Sequence, residues 1–263
     1  MLKPLCLLLS VLVVVACATS PLGRSQLQLF SDTEITQMGL AAYDEIRNSE
    51  PVEQDPRLNA YVRCVASAIT AVVPNAGQTW EVTVFRDESA NAFALPGGKI
   101  GVNTGLLKVA SNQHQLATVV GHEVAHVLAR HSGERLSNQT LVGTGLQAVQ
   151  AIGGSMTPAK QQLMGLLGVG AQVGILLPFS RTQESEADLL GLDLMARAGF
   201  DPRQSVALWQ NMARANGGGP PAFLSTHPSP GGRIEALQNR LPQAVSLYQQ
   251  AQAQGRQPAC RAP

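Results

Sequence analysis

Apolar residues recur at helical spacing in two stretches near the start of the chain. Ser31-Asp32-Thr33-Glu34 has helix-start chemistry, and Ile35, Met38, Ala42 and Ile46 continue one face. Asp55-Pro56 opens a second helix with Leu58, Tyr61, Val62, Val65 and Ile69 on its apolar side. The period then changes. Trp80–Phe85 alternates and predicts a half-buried strand, and Asn91–Val102 predicts two extended pieces turning at Pro96-Gly97-Gly98. After a short helix at Thr104–Leu107, the helical period returns in Leu116–Ala129, and one helix is expected from about Gln113 to Arg135. Gln139–Phe179 is rich in glycine and alanine. Its apolar part, Leu163–Leu177, is interrupted by glycines and reads as closely packed helices, with a membrane-facing flap as the alternative. A further helix runs from Ser180 to about Ala198, another follows Asp201-Pro202, and residues 243–263 form a polar tail. Helices with one small sheet between them predict a mainly helical α+β domain over residues 30–242.

The central helix carries His122-Glu123-Val124-Ala125-His126. Two histidines four apart share a helix face and can reach one ion, while Glu123 points to the side, where it can meet an activated water. Two neutral imidazoles, an open position and a carboxylate base are the parts of a zinc hydrolase site. A third protein ligand is then required. Glu184 and Asp188 are four apart on the next helix, so Glu184 is expected on the metal, one zinc ion per chain, and Asp188 behind it, accepting the free N–H of a ligand histidine. Glu186 is expected to point away. His114 and His131 fall outside this spacing and are expected at the surface or at helix ends.

The first residues change the picture again. One lysine, an apolar run and Val14-Val15-Ala16-Cys17 make residues 1–16 a secretory signal, too short for an ordinary membrane span. Cys17 after Val-Val-Ala resembles the processing site of bacterial lipoproteins. That resemblance implies a lipidated Cys17, a tether over residues 17–29 and, because Ala18 follows the cysteine, an outer-membrane address facing the periplasm. In such an oxidising compartment Cys64 and Cys260 can form a disulfide pinning the tail to an N-terminal helix; the alternative is two unpaired thiols. Nineteen basic residues against eighteen acidic ones, with no basic run, argue against nucleic acid as a partner.

Asn91–Gly98, His122–His126, Ser180–Asp188, and Thr226-His227-Pro228-Ser229-Pro230 with Arg233-Ile234 stand in an order that resembles the HtpX-like and CAAX-prenyl-endopeptidase-like zinc metallopeptidases of the gluzincin type. The resemblance covers roughly Phe30 to Leu241. It implies a gluzincin-type fold, zinc on His122, His126 and Glu184, and endoproteolysis of protein or peptide substrates in the cell envelope, in protein quality control. The membrane spans and the tetratricopeptide repeats of some members are absent, and prenylated substrates are not implied. An exposed strand edge at Asn91, Ala92, Phe93 and Ala94 beside such a site can pair with an extended substrate. The resemblance also places His227 near the metal, with two roles open: stabilising the oxyanion, or occupying the metal as a resting fourth ligand. A lipoprotein chaperone with a proteolytically silent site is the rival reading, and an intact Glu123 argues against it, since binding needs no general base.

Overall fold

The computed structural model describes residues 17–74, 78–152, 179–214, 222–228 and 231–263. The expected signal at residues 1–16 and the apolar segment at 163–177 lie outside them. The described elements run β1 (Cys17–Thr19), β2 (Ser25–Leu27), α1 (Asp32–Ser49), α2 (Pro56–Thr70), β3 (Glu81–Phe85), β4 (Ala92–Leu95), β5 (Lys99–Asn103), a 3-10 turn at Thr104–Lys108, α3 (Gln113–Leu128), α4 (His131–Ile152), α5 (Arg181–Arg197), α6 (Gln204–Arg214), α7 (Ala222–Thr226) and α8 (Arg233–Ala253). The mainly helical α+β class is the one observed. No helix among the described residues is long and apolar enough to cross a membrane.

Local chemistry sets several of these boundaries. Ser31 and Glu34 exchange the two hydrogen bonds of a capping box at the start of α1, and the Asp55 carboxylate caps α2 beside Pro56. Ser180 and Gln183 form a second capping box at the start of α5, so Glu184 stays free for other work. The small sheet has the order β3-β5-β4, with β3 parallel and β4 antiparallel to β5. The turn between β4 and β5 uses Gly97 and Gly98 at φ 91° and 76°, which side-chain-bearing residues rarely adopt. This leaves β4 as an edge strand laid along α3.

The core gathers the apolar faces of α2, α3, α5 and α6 with β3 and β5, through Val62, Val65, Ile69, Ile100, Val102, Leu116, Val120, Val124, Met195, Leu208 and Met212. At its centre α3 crosses α5 with their backbones in contact. A Cβ on Gly121 would lie 2.8 Å from the Gly191 carbonyl oxygen, and one on Gly191 would lie 2.7 Å from the His122 nitrogen. Two glycines therefore set how closely the helix of His122 and His126 approaches that of Glu184.

Two outlines differ from the sequence reading. The expected single helix from Gln113 to Arg135 is two helices, because Arg130 takes a left-handed φ of 55° between α3 and α4. The first half of the expected polar tail is helical: α8 continues through Pro242 to Ala253, burying Ala244 and Ala251. Cys260 is joined to Cys64 by a disulfide with Cα atoms 5.6 Å apart, and its backbone N–H donates to the Gln113 side chain, at the first residue of α3. The tail is thus fastened both to α2 and to the helix that carries His122 and His126.

Candidate metal centre

Four side chains converge where α3, α5 and the end of α7 meet. One helical turn separates His122 from His126 on α3, and Glu184 stands in the first turn of α5. His227 follows α7, fixed by its own N–H donating to the Phe223 carbonyl at 2.8 Å. Its ring stacks on Phe223 at 4.3 Å between centroids, and the His126 ring stacks on Phe179 at 3.9 Å. One donor atom from each of His122, His126, Glu184 and His227 lies within 4.8 Å of all the others.

The donor set fits a metal cation. His122 Nε2 and His126 Nε2 are 3.1 Å apart, and each is 3.4 Å from a Glu184 oxygen. His227 Nδ1 lies 3.4 Å from His122 Nε2 and 3.0 Å from Glu184 Oε1. Ligands at about 2.0 to 2.1 Å from a tetrahedral zinc are separated by about 3.3 Å, so these spacings are those of corners around one ion. Three nitrogens and a carboxylate oxygen, all with buried side chains, are donors that suit zinc.

The electrostatics favour a cation in the same place. Burial opposes charge on His122, yet Asp188 and Glu184 beside it hold its imidazole up at about 10, a positive charge that a bound cation would replace. Burial pushes His126 well below its ordinary value, to the neutral form that ligates. Glu184 is fully buried, but hydrogen bonds from His122, His126 and His227 keep its carboxyl far below the usual range and therefore ionised.

Glu123 is on α3 but off the ligand face. Its Oε2 accepts the backbone N–H of Ala94 on the edge strand at 3.3 Å, and its Oε1 is 3.4 Å from His227 Nε2. Burial raises its carboxyl above the ordinary value, offset in part by His227 and His122. A buried carboxyl raised in this way is chemically suited to accept a proton. Of the four strand residues expected to meet substrate, Ala94 thus faces the site. The Asn91 carbonyl instead accepts from the Asn103 N–H, and the Phe93 ring covers Gly101.

Behind the donors, Asp188 Oδ1 is 3.0 Å from His122 Nδ1, the atom that points away from the cluster. Asp188 is itself held by Arg233, which donates from Nε to Asp188 Oδ2 at 2.6 Å and from Nη2 to Glu184 Oε2 at 2.8 Å. The Arg233 guanidinium lies over the Trp209 ring at 4.1 Å. Arg233 belongs to the sequence motif that ends Arg-Ile, but its spacing gave it no role; only the fold shows that one buried cation joins both carboxylates.

Two side chains lie deeper than their spacing alone suggests. Of the two places expected for His131, the surface or a helix end, it takes the second: it opens α4 and is wholly buried, with Nδ1 2.9 Å from His126 Nδ1. Glu186 stays out of the donor cluster, as its position on α5 requires. It points away from the donors as expected and is buried, accepting from His131 Nε2 at 3.2 Å and Arg24 Nε at 2.9 Å. Burial would raise its carboxyl, but His131, Ser20 and Arg24 hold it at about 2. His114 also sits at a helix end, half-buried, its Nδ1 accepting the Asp201 N–H at 3.1 Å.

Comparison with known proteins bears on the same residues. The model of peptidase family M48 matches residues 52–241, which hold all four donors and Glu123. The chain belongs to this family. Among its M48 relatives, the mitochondrial metalloendopeptidase OMA1 of Schizosaccharomyces pombe is 40% identical over 186 residues, covering 70% of this chain and 53% of the relative. The human metalloendopeptidase OMA1 is 32% identical over 86% of this chain and 44% of its own length. The beta-barrel assembly-enhancing protease of Escherichia coli K12 is 28% identical over 88% of this chain and 48% of its own length. This M48 chain spans about half the length of the curated relatives it matches.

Proposed function

We propose that the protein is a zinc-dependent metalloendopeptidase of the bacterial cell envelope that hydrolyses peptide bonds of periplasmic or outer-membrane proteins, in their quality control. The observation that carries this reading is the convergence of His122 Nε2, His126 Nε2 and Glu184 on one point, with Glu123 held beside it by the Ala94 N–H. When bound there, zinc supplies Lewis-acid activation of a water molecule and of the scissile carbonyl. Glu123 takes the water's proton during attack and passes it to the departing amine. The β4 edge would line the cleft alongside an extended substrate, with the Ala94 N–H already engaged in holding Glu123. Asp188 fixes the ring of His122, and Arg233 orients Asp188 and Glu184 together. Support for an envelope address comes from the lipoprotein-like Cys17 and from the relative named a beta-barrel assembly-enhancing protease.

Purified protein should cleave casein or a peptide library, lose that activity to a chelator and regain it with zinc; a fully loaded protein that cleaves nothing would leave the rival chaperone reading. His227 Nδ1 sits among the donors and its Nε2 faces Glu123, which favours the resting fourth ligand over the oxyanion donor. In the same assay His227→Ala should bind zinc more weakly and show raised basal cleavage, because a metal position opens. A fall in kcat by about ten- to a thousandfold with zinc retained would assign the oxyanion role instead.

The anchor has its own test. Cys17→Ser should abolish lipid labelling and move the protein from the membrane to the soluble fraction, with the folded domain unchanged. Persistent membrane association without lipid would shift attention to residues 163–177.

A further inference from the structure

His126 and His131 are five residues apart, and on one continuous helix such residues point in different directions. The left-handed Arg130 breaks the helix between them and brings His131 back onto the first ligand helix. That break is held by side chains from the strap at residues 17–29. Gln26 Nε2 donates to the Ala129 carbonyl at 2.7 Å, and Gln28 Nε2 donates to the Arg130 carbonyl at 3.1 Å. Gln183 of α5 holds the start of α4 from the other side, donating to the His131 carbonyl at 3.3 Å and to Glu134 Oε2 at 2.8 Å.

Hydrogen-bond direction along this line follows from the chemistry. A neutral imidazole that ligates through Nε2 carries its proton on Nδ1, so His126 Nδ1–H must donate. Its neighbour at 2.9 Å, His131 Nδ1, must then accept, which puts the His131 proton on Nε2. His131 Nε2–H donates in turn to Glu186 Oε2 at 3.2 Å. Arg24 of the strap closes the line, donating from Nε to Glu186 at 2.9 Å and from its terminal nitrogens to Glu134. Every direction is set by the one proton that metal binding places on His126. The two ligand histidines are thus mounted differently: His122 meets the carboxylate of Asp188 directly, whereas His126 reaches Glu186 through a second imidazole.

We infer that His131 and Glu186 are positioning residues for the metal ligand His126, fixing its tautomer and ring angle through a relay that ends on Arg24 of the N-terminal strap. No proton moves along this line; its work is to hold one arrangement. The inference rests on the metallopeptidase reading above, since it needs a metal on His126 Nε2.

The test measures zinc affinity of the full chain by competition with a chromophoric chelator, and records the cobalt-substituted absorption spectrum. His131→Phe fills the same space but removes the acceptor for His126 Nδ1–H. It should lower zinc affinity by about 10- to 100-fold and shift the cobalt spectrum, as loss of partners behind metal ligands typically does. His131→Gln retains a carbonyl acceptor and should recover part of that loss. A merely space-filling role would reverse this order, with phenylalanine the better replacement. Glu186→Gln, which keeps the shape and removes the charge, should weaken zinc by about tenfold. Wild-type affinity and an unchanged cobalt spectrum in folded His131→Phe would overturn the relay; should that variant not fold, the same result in Glu186→Gln would do so. Wild-type protein that takes up no zinc would overturn the metal reading itself, and the relay with it.

Discussion

Replacing Glu123 with glutamine should leave the metal bound and slow peptide hydrolysis by at least about a hundredfold, the lower range for loss of a positioned general base. The side chain stands off the ligand face of α3 and accepts from the Ala94 N–H of the edge strand, so its removal takes no donor from the metal. Glutamine keeps the volume and an acceptor for Ala94 but cannot take a proton. Metal analysis and kcat on the same preparation decide the matter. Loss of zinc in Glu123→Gln would mean that a ligand has been taken for a base.

The second large effect is expected at Arg233, a residue with no direct part in the chemistry. Arg233 is 4% exposed, and its guanidinium bridges Glu184 and Asp188, both buried. Arg233→Met keeps most of the contact with Trp209 but leaves two buried carboxylates without their shared cation. Breaking such a buried pair by removing one partner costs about 3 to 5 kcal/mol. Urea unfolding should show that loss in chelator-treated protein and a smaller one in zinc-loaded protein, where the metal still neutralises Glu184. Arg233→Lys should fall between, because a single ammonium lacks the planar fork that reaches two carboxylates at once. Equal stability of Arg233→Met and wild type without metal would show that the bridge contributes nothing.

The parts of the site that repeat on a helix were legible in the sequence. His122 and His126 share a face through the helical period, as do Glu184 and Asp188, and no long-range information is needed to place each pair. The mainly helical α+β fold followed from the same periods, and Pro96-Gly97-Gly98 marked the turn between β4 and β5. What escaped has a common physical origin. The left-handed turn at Arg130 carries no glycine or asparagine to announce it, and it is held by Gln26 and Gln28 from about a hundred positions away. The buried places of His131 and Glu186 depend on that turn. Arg233 stands 45 and 49 positions from its two carboxylates, and helical spacing says nothing about such partners. The helix in the expected polar tail buries small residues, Ala244 and Ala251, whose weak apolar signal is lost among glutamines.

The contact between Gly121 and Gly191 makes the crossing of the two ligand helices a pivot. With backbone against backbone the helices cannot slide closer, and what remains to place Glu184 is the angle at which they cross. His122 sits next to the pivot, while Glu184 is seven residues from Gly191, a lever arm of about 10 Å at 1.5 Å per residue. Each degree of rotation then carries the Glu184 carboxylate by about 0.2 Å, which is the whole tolerance of a zinc–ligand distance. The ion would therefore act as an angular gauge, locking the crossing of α3 and α5 to within about a degree when all its ligands are engaged.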